Sequence, residues 1–574
     1  MGKKVSDKEF KTQLSKRFEL IYGEKPENKY VEEIFSAVVD VKNEFTSKGG
    51  NKWNASDIIL ITYGDSIIDI DEMPLQTLNN FAKKHFKDVI STIHILPFFP
   101  FSSDDGFSVI DYNIVDPKLG DWTDVSELSQ RFKLMFDLVI NHISQYSIWF
   151  QNYIKGENPG KNFFIEVNPE TDLSAVVRPR SLPLLTPVET SNGLKYVWTT
   201  FSADQIDLNF ASPELMKEMI KVFLLYLKNG ASIIRLDAIA FLWKEIGTNC
   251  LHLPQTHEFV KLLRNITDFI HLSLILLTET NVPNKENLSY FGDNDEANMV
   301  YQFSLPPLLL HALFTGNSKY LTEWAQSIPK LTAECTFFNF TASHDGIGVR
   351  PLEGLVPKEE FESLVDGMRN LGAHISTKRN SDGSDSPYEM NITYLDALRG
   401  TVNGYDELQE QRFICSQTIM MSLQGVPAFY IHSLLGTRNY NEGVKKTGIP
   451  RTINRKKWNT NELYPLLKAD TMQSRIFNEL SRRIAIRKLF GFFHPGAAQN
   501  VVFLNKDLFI FNRGDAFELI CIANITSSPK VVNRNDIPGS VFYNYDLIAE
   551  SRLVSTNDEI ILKPYQVLWL IEQE

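Results

Sequence analysis

The strongest constraint in this chain is a series of short, continuously apolar segments, each bounded by turn residues. They are DIILITYG (57–64), STIHILPF (91–98), FKLMFDLVINH (132–142), ASIIRLDA (231–238), LSLILLTET (272–280), MVYQFS (299–304), CTFFNFTASHD (335–345) and VPAFYIHS (426–433). A strand with one wet face alternates apolar and polar residues, whereas a strand covered on both faces reads as an unbroken apolar run. Between several runs lie amphipathic helix patterns such as PELMKEMIKVFLLYLKNG (213–230), with Gly230 where a C-terminal cap belongs. Eight such strands alternating with helices predict an α/β fold, a (β/α)8 TIM barrel. The gaps at about 143–230 and 346–425 are too long for simple crossovers. Long excursions at strand C-termini build the substrate site of such barrels, so both are candidate active-site insertions.

The barrel is expected to span 55–489. Residues 1–54 read as a helical extension, with Leu14, Phe18, Ile21 and Tyr22 at helical spacing and SKGGNKWN (47–54) as a linker. Helical spacing leaves two readings of this extension open, packing on the barrel or mediating a homodimer. Residues 490–574 alternate around turn signals in NVVFLNKDLFIFNRG, FELICIANIT, SVFYNYDL and DEIILKPYQVLWLIE, which predicts a C-terminal antiparallel β domain.

Composition narrows the partners. With 58 Lys+Arg against 70 Asp+Glu the formal charge is −12, which argues against nucleic acid or an anionic membrane surface as the main partner. Four scattered cysteines without a Cys-x-x-Cys pair suit a reducing compartment and argue against structural zinc. The charged N-terminus lacks the apolar core of a signal peptide, and no apolar run approaches a membrane span. The expectation is a cytoplasmic protein acting on small molecules.

Polar groups at the C-terminal ends of barrel strands carry the chemical information. Asp237 ends ASIIRLDA, Glu279 ends LSLILLTE and Asp345 ends CTFFNFTASHD. One such aspartate is commonly a cap or turn residue; three at corresponding strand ends, with Arg235 and His344 adjacent, point to a site. Arg235, two residues before Asp237, shares its side of the strand and favours the ionised form, as a nucleophile needs. In a more apolar setting Glu279 keeps its proton, as a general acid needs.

This constellation resembles the α-amylase superfamily, glycoside hydrolase family 13. DLVINH matches the strand-3 motif through Asp137 and His142, IIRLDA the strand-4 motif through Arg235 and Asp237, Glu279 the strand-5 glutamate, and His344–Asp345 the strand-7 pair. LITYGDS, HILPFFPFSSDDGFSVIDY, VVRPRSLPLLTP, VYQFSLPPLLLHAL, SHDGIGVRP and INRKKW look like the sucrose phosphorylase branch. The resemblance implies a glucosyl-retaining phosphorylase with Asp237 as nucleophile, Glu279 as acid/base and Asp345 as transition-state stabiliser. It further implies that Asp104, His142, Arg235, His344 and Arg455 bind glucose and that Phe107 and Phe201 wall the sugar site, although local sequence alone favours plain core packing for both rings.

Phosphate entering among carboxylates needs cations, and VVRPR supplies Arg178 and Arg180. Arg180 matches the family's phosphate-facing residue; a solvated basic turn is the other reading. DSPYEMNITY (385–394) matches the phosphate- and acceptor-contacting loop, keeping Tyr388 but carrying Glu389 where sucrose phosphorylases have Gln and Ser386 where they have Asp. Phe241 replaces a Tyr beside the nucleophile strand. These departures look more like the glucosylglycerate phosphorylases of the same subfamily, which implies D-glycerate as acceptor, with Tyr388 and Glu389 beside it. Asn141 stands where many amylases hold calcium, but no acidic ligand cluster is spaced to demand the ion, and neither metal nor other cofactor is expected.

Overall fold

A computed structural model describes residues 5–23, 28–44, 51–271, 273–380, 383–537, 543–553 and 558–573. Eight parallel strands close into a barrel: β1 (Ile59–Thr62), β2 (Thr92–Ile95), β3 (Lys133–Val139), β4 (Ala231–Asp237), β5 (Ile275–Thr278), β6 (Met299–Tyr301), β7 (Thr336–Asn339) and β8 (Val426–Tyr430). Each lies in one of the eight apolar runs, and nearly every strand residue is buried because side chains fill the interior while helices cover the outside. FKLMFDLVINH is not one strand, however. β3 stops at Val139, and His142–Ser144 pairs antiparallel with Gln205–Asp207 of the first excursion.

Both excursions are shorter than the gaps suggested. The helix Pro213–Lys228 leads directly into β4; Ser212 caps its N-terminus, Pro213 opens its first turn, and Gly230 follows its end at φ +95°. The helix Gln409–Ser422 is buried between the barrel and the C-terminal sheet. The excursions therefore run over about 140–212 and 340–408. Their last segments had looked like insertions only because periodicity cannot tell a crossover helix from a loop helix.

At the N-terminus, α1 (Asp7–Tyr22) starts in a capping box between Ser6 and Glu9 and ends at Gly23 in the left-handed region. α2 (Asn28–Glu44) follows, and the two pack on the barrel helices Pro213–Lys228 and Pro254–Ile270. Phe10 stacks on Phe269 at 4.0 Å, and Arg17 pairs with Glu258 at 2.7 Å. The extension is thus part of the barrel wall. Residues 47–50 of the expected linker, and 540–542 of SVFYNYDL, lie outside the described residues.

Among the described residues the C-terminal sheet has six strands in the order 499–502, 508–513, 519–524, 567–571, 545–546, 551–552, with 530–533 and 559–562 paired beside it. Buried Trp569 donates to Ser422 Oγ at 2.8 Å, joining the sheet to the helix Gln409–Ser422.

Candidate active site

Strand register assembles the first charges. Asp137 on β3 lies opposite Arg235 on β4, and Asp237 is two residues further on the same face. Arg235 Nη1 donates to Asp137 Oδ1 and, at 2.9 Å, to Asp237 Oδ1, while Nη2 stands 3.9 Å from Glu279 Oε2. His94 Nε2 bonds the other Asp137 oxygen at 2.6 Å. Glu279 directly follows β5, and its Oε2 accepts the N–H of Ala238 at 3.0 Å. Ala238 holds φ +49°, a left-handed conformation unusual for a residue with a Cβ, immediately after Asp237. One guanidinium and one strained turn therefore hold both carboxyls of the expected catalytic pair.

Burial pushes the Asp237 and Glu279 carboxyls above the usual range, and Arg235 opposes the push in both. Arg235 is where the sequence placed it, but burial outweighs it. Glu279, Asp137 and Asp345 add like charge around Asp237, as Asp345 and Asp137 do around Glu279, so burial and like charge both favour a proton within this cluster.

Asp345 lies beyond the end of β7. Burial pushes its carboxyl up, but Arg451, His344 and Arg455 together pull it down to about 2. Arg451 Nη1 is 2.8 Å from Asp345 Oδ1, and His344 Nε2 is 3.5 Å from Oδ2. The His344 ring stacks on Phe107 at 4.7 Å, and burial lowers its pKa to about 3, so it is neutral. Asp104 sits in a tight DDG turn at φ +52°, followed by Asp105 at +47° and Gly106 at +111°. A Cβ on Gly106 would lie 2.6 Å from the Pro97 carbonyl oxygen, so only glycine lets this turn fold against β2's exit.

His142 Nε2 faces the Phe107 carbonyl at 2.8 Å and must donate to it; burial lowers its pKa and keeps it neutral. Phe201 lies edge-on to Phe241 at 5.4 Å, and the Arg180 guanidinium lies over the Phe201 ring at 5.7 Å. Arg180 also donates to Asp104 Oδ2 at 3.3 Å. Tyr388 and Glu389 belong to a strand, Asp385–Asn391, rather than a loop, within a three-stranded sheet. Burial raises the Tyr388 hydroxyl to about 12.

One cavity of about 100 Å³ is lined by Asp104, Phe107, His142, Arg180, Phe201, Arg235, Asp237, Glu279, His344, Asp345, Tyr388 and Glu389. Arg455, Arg178 and Asp137 are not among the lining residues; Arg455 donates from Nε to the His344 carbonyl at 2.9 Å and from Nη1 to Asp105 at 2.6 Å. Its Nη1 also stands 3.6 Å from Asp104 Oδ1 and its Nη2 3.5 Å from Asp345 Oδ1. Sequence reasoning missed Arg451, Gln205, Asn281 and Tyr301, which also line it. Arg451 lies two residues before the INRKKW segment, and a lone arginine in a loop carries no periodic signal. Asn141 Oδ1 accepts from the buried Lys244 ammonium at 2.6 Å, and the same ammonium pairs with Asp207 at 2.6 Å. Among the described residues no group of three or more His, Cys, Asp or Glu is placed to hold a metal ion.

The chain matches the model of the alpha amylase catalytic domain over residues 87–346. It is 43% identical over 566 residues to the glucosylglycerate phosphorylase of Escherichia coli (strain K12), an alignment spanning 98% of this chain and 100% of that protein. The chain belongs to the α-amylase family. Within this family it is 31% identical over 449 residues to the sucrose phosphorylase of Bifidobacterium adolescentis, covering 73% of this chain and 85% of that one. The solved structure of sucrose 6F-phosphate phosphorylase from Thermoanaerobacter thermosaccharolyticum superposes with a TM-score of 0.71 at 26% identity, covering 83% of this chain and 95% of the other. The family's barrel and C-terminal sheet are both present here, and the chain is an enzyme. Among the described residues no helix is long and apolar enough to cross a membrane.

Proposed function

We propose that the chain is a retaining glycoside phosphorylase that moves the α-glucosyl group of 2-O-α-glucosylglycerate to inorganic phosphate, giving α-D-glucose 1-phosphate and D-glycerate. The observation that carries this reading is the convergence in one cavity of Asp237 and Glu279, at the C-terminal ends of β4 and β5, and Asp345, in the loop after β7, the first two held by a single guanidinium. A near full-length alignment at 43% identity to a glucosylglycerate phosphorylase, against a shorter one at 31% to a sucrose phosphorylase, supports the choice of acceptor.

The Asp237 carboxylate attacks C1 from the β face, opposite the departing oxygen, and forms a β-glucosyl ester. The C1–O bond breaks with its electron pair on the glycerate oxygen, which takes the proton of Glu279. Phosphate then gives a proton to Glu279 and attacks C1, and the Asp237 ester bond breaks. Two inversions leave the α configuration. Asp345, Asp104, His142 and His344 hold glucose hydroxyls, with Arg235 fixing the pair from behind, and Phe107 and Phe201 wall the ring. Among the described residues Arg180 makes one hydrogen bond, at 3.3 Å, and its side chain is 31% exposed, which supports its role as the cation that receives phosphate, with Tyr388 beside it. The reading includes a cytoplasmic location, in keeping with four buried, unbridged cysteines.

The test is release of α-glucose 1-phosphate from 2-O-α-glucosylglycerate and from sucrose, each with and without phosphate. Phosphate-dependent product from glucosylglycerate is expected. Product from sucrose alone overturns the acceptor, and free glucose irrespective of phosphate overturns the phosphorylase reading.

A further inference from the structure

Arg451 joins three carboxylates that arrive from three separate segments. Its fork is bidentate on Glu389, with Nε 3.1 Å from Oε1 and Nη2 2.8 Å from Oε2. Its remaining nitrogen, Nη1, lies 2.8 Å from Asp345 Oδ1 and 3.8 Å from Asp104 Oδ2. Glu389 is 3% exposed, and its Oε1 also accepts the backbone N–H of Gly346, the residue directly after Asp345. The approach is close enough that a Cβ on Gly346 would lie 2.7 Å from both Glu389 Cγ and Oε1. The ladder pairing of Gly348 with Glu389 holds the two segments side by side.

Glu389 therefore spends its carboxylate on three protein donors, two from Arg451 and one from the backbone behind Asp345. An amide at this position has one acceptor oxygen; placing it where Oε1 lies turns its NH2 onto Arg451 Nη2, donor against donor. The charge at 389 is matched to the fork and the N–H, and it answers how a carboxylate is tolerated beside an anionic acceptor: it is neutralised within the cavity wall.

We propose that Glu389 and Arg451 form a positioning pair that fixes the Asp345 carboxylate and the backbone following it, so that residue 389 governs the glucosyl-transfer step rather than acceptor binding. This rests on the role of Asp345 in the proposed function. Glu389 acts through Arg451, and Arg451 through Asp345; a displacement of a gripping group by a fraction of an ångström to 1 Å costs roughly ten- to a hundredfold in rate.

The experiment compares Glu389→Gln with the parent enzyme on two donors in the presence of phosphate: 2-O-α-glucosylglycerate, and α-D-glucosyl fluoride, which carries no glycerate. The expected result is a fall in kcat/KM of about tenfold or more, by the same factor for both donors, with the KM for glycerate in the reverse reaction unchanged. A variant with full activity on the fluoride and a raised glycerate KM overturns the proposal, because Glu389 then touches the acceptor. Arg451→Lys keeps the charge and loses the fork; it should match the Glu389→Gln loss on the fluoride, and the double variant should be no worse than either single one. Multiplying losses overturn the proposal. Should Glu389→Gln fail to fold, Arg451→Lys on the fluoride decides, and full activity there overturns it. If the parent enzyme ignores glucosylglycerate but converts the fluoride, the acceptor reading fails while the comparison on the fluoride still tests the pair.

Discussion

Lys244→Met removes a buried cation without removing its volume, and the structure sets the size of the effect. Lys244 is 3% exposed at its side chain and Asp207 is fully buried; the ammonium stands 2.6 Å from Asp207 Oδ2 and 2.6 Å from Asn141 Oδ1. Those contacts tie three segments together: the turn after β4, the exit of β3, and the Gln205–Asp207 strand that pairs with His142–Ser144. Methionine is close to the lysine stem in shape, so packing loss is small. Stripping one partner from a buried ion pair costs about 3–5 kcal/mol. Asp207 keeps three donors, the Thr200 N–H and hydroxyl at 2.7 Å each and Asn141 Nδ2 at 3.0 Å, which places the cost near the lower bound. The unpaired Asn141 oxygen adds about 1 kcal/mol, for a total of roughly 3–4 kcal/mol. Because the chain is large, the readout is local opening by amide hydrogen exchange at 142–144 and 205–207, alongside the first denaturation transition. Adding Asp207→Asn to Lys244→Met should recover about 2 kcal/mol by removing the orphaned charge. A loss below about 1 kcal/mol, or a double variant less stable than Lys244→Met, refutes the argument.

Asp237→Asn should lower glucosyl transfer by at least about a thousandfold with the fold intact, checked by single-turnover kinetics and circular dichroism; normal turnover removes it as nucleophile. Glu279→Gln should slow glucosylglycerate far more than glucosyl fluoride, whose leaving group needs little protonation, and equal losses count against an acid role. Arg180→Ala should raise the KM for phosphate about tenfold or more while leaving formation of the glucosyl-enzyme from the fluoride within a few-fold, a split measured by rapid mixing. Asp137 and Asp345 both have carboxyls lowered to about 2, Asp137 by Arg235 and His94 against burial. Their stabilisation is present above the unfolded carboxylate range and is lost as pH falls from about 4 through about 2, about 2 kcal/mol for each. Asp345→Asn should flatten the melting temperature against pH in that window, and an unchanged slope denies Asp345 its share.

Much of the site was legible because barrels place function at strand ends. Once ASIIRLDA, LSLILLTE and CTFFNFTASHD are read as strands with their exits, Asp237 and Glu279 must face one mouth, the two-residue period puts Arg235 beside Asp237, and Asp345 follows in the loop after Asn339 at the same end. Phe107 and Phe201, for which local sequence alone favours plain core packing, line the cavity because Phe107 packs on His344 and Phe201 carries Arg180. Arg455 stands within 3.6 Å of Asp104 and 3.5 Å of Asp345 without lining the cavity, a placement that local sequence does not encode.

The sequence by itself determined the closed barrel, the C-terminal sheet and the strand-end carboxylates Asp237 and Glu279, because each follows from local periodicity and from where apolar runs stop, whereas Asp345 stands in the loop after β7, which ends at Asn339. Tertiary structure alone decided how the charges are spent. Arg451 meets Glu389 across 62 residues and Lys244 meets Asn141 across 103, contacts that no local pattern encodes. Likewise Arg235 was visible beside Asp237, but that burial outweighs it was not. An ion pair is fixed by which loops barrel closure brings within 3 Å of each other, and the balance of desolvation against attraction exists only once water has been excluded from the folded chain.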